Sequence, residues 1–149
     1  MNKLGKRTDL GGRGTAAIEF ALAAPLFLAL ILGVVEIGFG AYQAMQTQDA
    51  AEAGALYAAK HGWDSTAISA AVVNATGASG MTASPAPSEF CGCPATTGVT
   101  VVACTATCTG GTAPGVYVQV NATLPHSTIL PGLSSLPSSF TFQSTIRIQ

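Results

Sequence analysis

The chain has 149 residues, 48% hydrophobic and only 9% charged, with a net charge of −1 and a mean hydropathy of +0.44. These values exclude a disordered acidic or basic tail protein, and they lie far from an ordinary soluble enzyme, in which about 25% of residues are charged. A net charge near zero gives no general attraction to nucleic acid, and two His with one Trp leave little material for catalysis.

The charge is unevenly placed. Residues 1–14 carry Lys3, Lys6, Arg7 and Arg13 against Asp9, a net of +3, and the remainder of the chain is net −4. A basic head followed by an apolar run is a membrane-targeting layout. The run Phe20–Val35 has no charged residue. As a helix it spans about 24 Å, short of a hydrocarbon core of about 30 Å. It continues past Glu36 to Tyr42, and with Glu36 tolerated the 23 residues Phe20–Tyr42 cross comfortably. A soluble core helix would interrupt such a run with polar residues every third or fourth place. The pattern therefore predicts one transmembrane helix, with a cleaved secretory signal as its rival. Lys and Arg precede the run and none follows within 17 residues, so the head is placed in the cytoplasm and the long C-terminal part outside the inner membrane. Pro25 removes a backbone donor and predicts a kink. Ala17–Ala21, Ala29–Gly33 and Gly40–Ala44 are small pairs that let helices approach in lipid. Glu36 is costly in hydrocarbon and either reaches water at the outer face or contacts a neighbouring subunit's helix.

Gln43–Lys60 is rich in good helix formers, so the membrane helix runs on as one rod over Ala16–His61, roughly 69 Å long. Ala51, Ala55, Ala58, Leu56 and Ala59 form its apolar face, and His61-Gly62 reads as the stop. A second helix starts at Asp64-Ser65, with either residue as cap, and ends at Gly77 or Gly80. Ser84–Ser88 reads as a linker.

Four cysteines follow as Cys91-Gly-Cys93 and Cys104-Thr-Ala-Thr-Cys108. An even count outside the cytoplasm suggests two disulfides. A Cys91–Cys93 ring would be strained, which favours bridges between the two clusters and leaves their pairing open. The spacing departs from paired C-x2-C zinc sites, and no redox C-x-x-C is present, so no metal or cofactor is expected. Val99–Cys104, Val116–Leu124 and Phe140–Ile148 alternate as strands. Val116, Val118, Val120, Ala122 and Leu124 share one face, and Phe140, Phe142, Ser144, Ile146 and Ile148 another, with Arg147 opposite. The loop Pro125–Ser139 is too polar and broken to be core. His126 and Ser127 within it have no partner for a triad, and no catalytic residue is assigned. The fold class is α+β: a long N-terminal transmembrane helix, a short helix and a small antiparallel sheet.

Gly14, then Thr15-Ala16-Ala17-Ile18, then Glu19-Phe20 resembles the processing signature of type IV prepilins. The stretch Arg13–Pro25 is similar to the TadE-like family, the minor pilins or pseudopilins of the tight adherence (Flp pilus) system. So are Gly33–Gly38, Asp49–Ala59 and the tail from Val116 with Leu130-Pro131-Gly132-Leu133. The resemblance implies a prepilin peptidase cutting between Gly14 and Thr15 at the cytoplasmic face. The mature 135 residues would stay anchored and support assembly of Flp-type pili together with other pilin or pseudopilin subunits. A freed ammonium at Thr15 lies one turn from Glu19, and a cation and an anion at i and i+4 neutralise one another at the lipid boundary. The expected organisation is a basic leader 1–14, a transmembrane helix 15–42, its periplasmic extension 43–61 and a small periplasmic domain 62–149. The rival function is a single-pass anchored periplasmic binding protein unrelated to pili.

Overall fold

The computed structural model describes residues 11–129 and 136–148, with side chains from residue 15 onward. Lys3, Lys6, Arg7 and Asp9, the side chain of Arg13 and the Leu130–Leu133 segment lie outside the described residues. The first element, α1, is an unbroken helix over Gly11–His61, 51 residues and so about 76 Å. It starts inside the basic leader rather than at its end. Gly11, Gly12 and Gly14 are poor helix formers, but adding a turn to an existing rod avoids the cost of nucleation. Pro25 is held within it. At the far end Gly62 takes a φ of +80°, open to glycine at no steric cost, and its N–H donates to the Ala58 carbonyl at 2.8 Å.

The short helix α2 covers Ser65–Asn74. Asp64 is its cap: one carboxylate oxygen accepts from the Thr66 and Ala67 N–H groups, each at 3.0 Å. The helix stops at Asn74, before either glycine expected to end it. Its buried side chains are Ile68 and Val72, which seat it on α1.

Four antiparallel strands follow: β1 Ser88–Ala95, β2 Gly98–Val101, β3 Gly115–Pro125 and β4 Ser139–Arg147, in the order β2-β1-β3-β4. Strand β4 follows the expected alternation; in β3, Val118, Val120, Ala122 and Leu124 are buried on the face that packs against α1, Val116 is only half-buried, and Tyr117 and Asn121 of the other face are buried as well. Strand β1 falls where the sequence reads as a linker and a cysteine loop. Gly92, Pro94 and two cysteines give it little strand propensity of its own. Pairing makes it a strand: Ser88–Gly92 lie against Gln119–Gly115, and Gly92–Ala95 against Val101–Gly98. The Ser84–Ser88 linker is also pinned down, since Asn121 and Thr123 donate to the Pro85 and Ser84 carbonyls at 3.3 and 2.7 Å. Strand β2 ends at Val101, before Cys104 turns back toward β1.

The core lies where α1, α2 and β3 meet. Ala50, Ala51, Ala55 and Ala58 of α1 pack with Ile68, Val72, Met81, Val118, Val120, Ala122 and Leu124. Leu56 and Ala59, expected on the same apolar face, are exposed. The helix offers the sheet its smallest side chains because the approach is close. A Cβ on Gly54 would stand 2.5 Å from Val72 Cγ2 and 2.8 Å from Val120 Cγ1.

Candidate functional site

Two acids bracket the apolar part of α1, and the structure gives them different surroundings. Glu19 is exposed, as are its neighbours from Thr15 to Leu22. The Gly14–Thr15 peptide bond lies inside the helix, so a peptidase that needs an extended substrate must first unwind the glycine-rich first turn.

Glu36 is only 4% exposed. The sequence leaves it to water or to a neighbouring subunit; here its own chain covers it. The Ile129 N–H donates to Glu36 Oε2 at 2.9 Å, and His126 Nε2 stands 3.6 Å from Oε1. That separation is long for a hydrogen bond and within reach of an ion pair, and among the described residues neither atom has a hydrogen-bond partner. The other ring nitrogen, Nδ1, is hydrogen-bonded to Gln43 Oε1. The His126 ring lies between Phe39 and Phe140, with centroids 6.2 and 5.4 Å away. Its backbone N–H donates to the Ser138 carbonyl at 2.8 Å, which ties the ring to the start of β4.

Helical spacing assembles this cluster. Glu36, Gly40 and Gln43 lie three or four residues apart and share a face. Gly40 makes room on it: Leu136 Cδ1 sits 2.7 Å from where a Cβ would be. Below them Thr47, Ala50, Gly54 and Ala58 continue the same face into the core. His126, at 6% exposure, departs from the expectation that the 125–139 loop stays out of the interior. A buried imidazole requires hydrogen-bonding partners, and a buried carboxylate requires a donor or a cation, so each residue supplies part of what the other lacks. No local pattern announces this contact, because 90 residues separate Glu36 from His126.

The cysteines form Cys91–Cys104 and Cys93–Cys108, with Cα–Cα distances of 5.1 and 5.5 Å, so each bridge joins one cluster to the other. All four thiols are used. The bridges fasten the β1–β2 end to the 102–114 loop, far along the chain from the Glu36 cluster.

The TadE-like protein family model matches residues 14–56. No curated protein and no solved structure matches the chain. The matched segment begins at Gly14, includes Glu19, Pro25 and Glu36, and ends within the part of α1 that packs on the sheet. Among the described residues α1 is the one helix long and apolar enough to cross a membrane; its most apolar 18-residue window reaches a mean hydropathy of 2.4 and none of it is buried. Residues 14–56 of this chain are thus similar to the TadE-like family over the exposed apolar run and the first part of α1 that packs on the sheet.

Proposed function

We propose that this chain is a minor pilin or pseudopilin of a tight adherence (Flp) pilus system, anchored in the bacterial inner membrane through α1. A TadE-like segment points to a Tad pilus-associated protein, and this family is generally without enzymatic activity. The observation that carries the finer reading is a coincidence of position: the family match starts at Gly14, where a basic head meets an apolar helix left uncovered by the rest of the chain.

In this reading a prepilin peptidase cuts between Gly14 and Thr15 on the cytoplasmic side. The new Thr15 ammonium and the Glu19 carboxylate then compensate each other, within one rod or between stacked rods. Residues 15–42 cross the bilayer, 43–61 extend the rod into the periplasm, and 62–149 form the domain that folds back on it. Two disulfides support an oxidising compartment for that domain. Its partners are the peptidase, sister pilin or pseudopilin subunits and the assembly machinery, and the outcome served is adhesion.

Intact mass of the protein from membranes of cells with and without the peptidase tests this. The expected product begins at Thr15 and requires the enzyme. A chain that keeps Met1 in both strains, in cells that still make pili when it is deleted, would instead fit a plain anchored periplasmic binding protein.

A further inference from the structure

The uncharged run Phe20–Val35 is shorter than a bilayer core by about 6 Å, or four helical residues. The bilayer must take in more of α1 at one end. Toward the N-terminus the next residue is Glu19, which is exposed. Toward the sheet it is Glu36, whose carboxylate is already covered by the Ile129 N–H and the His126 ring. Taking in a covered acid costs less than taking in a bare one. The residues beyond Glu36 match this. Ile37, Phe39, Tyr42 and Met45 are large and exposed, although the opposite face of the same turns is packed against the chain. Ile129, whose N–H meets Glu36, is 51% exposed.

We propose that the 126–129 loop is a membrane-surface contact: it sits among the phospholipid headgroups with Ile129 turned into the interface, and shields Glu36 from the bilayer. The occupant of this apolar collar is lipid, and the collar continues the exposed span of α1. Tyr42, with an apolar ring and a polar tip, then lies at the outer boundary. The inference rests on the reading that α1 spans a membrane.

Trp63 is the chain's one tryptophan, so a Trp63→Phe background leaves fluorescence to a single introduced probe. The full chain is reconstituted into phosphatidylethanolamine–phosphatidylglycerol vesicles, with or without lipids brominated near the headgroup. Ile129→Trp is expected to emit at shorter wavelength than in water and to be quenched by the bromines, as a tryptophan held at the membrane–water interface would be. Phe27→Trp, at mid-span, reports on the anchor itself, using lipids brominated deep in the chain. Quenched Phe27→Trp with water-like, unquenched Ile129→Trp overturns the loop's contact and leaves the anchor standing. A blue-shifted but unquenched Ile129→Trp overturns it in favour of cover by a second copy. If Phe27→Trp escapes quenching, the anchor and the contact fail together.

Discussion

Glu36 illustrates how one residue's meaning depends on what folds over it. Next to an apolar run it reads as an expense, yet it is the residue on which the loop docks. Replacing it with Ala removes the acceptor of the Ile129 N–H and the carboxylate that stands 3.6 Å from the buried His126 Nε2, a cost of about 1–3 kcal/mol. The expected result is a lower urea midpoint for Glu36→Ala, with His126→Ala lowering it comparably and the double variant less than the sum of the two, because the residues share one interaction. Additive losses would mean the two side chains are not coupled. Gly54 sits under a tighter constraint. Alanine gains about 1 kcal/mol of helix propensity there, but its methyl would press on Val72 and Val120, an overpacking cost of about 1–3 kcal/mol. A net loss of stability in Gly54→Ala is expected from thermal melts, and a gain would show that α2 moves aside freely. Glu19 is exposed, so Glu19→Ala is expected to leave the melting temperature unchanged and to abolish pilus production in cells. Normal piliation in that variant would remove the proposed role of the acid.

At the scale of elements, the helices have local causes and the first strand does not. Helix α2 follows from Asp64 and the 68–72 spacing; Asp64→Ala is a loss of about 1 kcal/mol in the ordinary range for a cap. Strand β1 exists because β3 offers it a partner and two bridges hold it. The closed loops have sequence separations of 13 and 15 residues, and such loops confer about 3 kcal/mol each in the chain-entropy picture. Reduction is expected to speed amide exchange in β1 and β2 while β3 and β4, packed on α1, stay protected. Uniform loss of protection would make the sheet a single cooperative unit that needs the bridges.

The whole molecule divides along α1. Over Phe20–Val35 the helix is apolar and left uncovered; beyond Glu36 one face is buried by its own chain. In the proposed setting the uncovered part, with its Ala17–Ala21 and Ala29–Gly33 pairs, and the exposed face bearing Leu56 and Ala59 remain to meet lipid or sister rods, whereas the face of Ala50, Gly54 and Ala58 does not. Alkaline carbonate washing of membranes is expected to leave the chain in the pellet. Release into the supernatant would argue that α1 is not inserted.

The rod's apolar run, its stop at Gly62, the cap of α2 and the alternation of β4 were legible in the sequence, since each depends on residues within one or two turns or a few pleats of each other; the rod's start at Gly11 and the burial of both faces of β3 were not. The resemblance carried by residues 13–25, 33–38 and 49–59 was legible for the same reason, being made of contiguous strings, and the family model matches residues 14–56. The tertiary structure decided that β1 is a strand, which cysteines pair, that Leu56 and Ala59 face outward, and that His126 closes over Glu36. Each of these joins parts of the chain that only the packing of sheet on helix brings together. Burial then fixes the pairing, because a polar group taken out of water must find its partner among whatever side chains arrive with it.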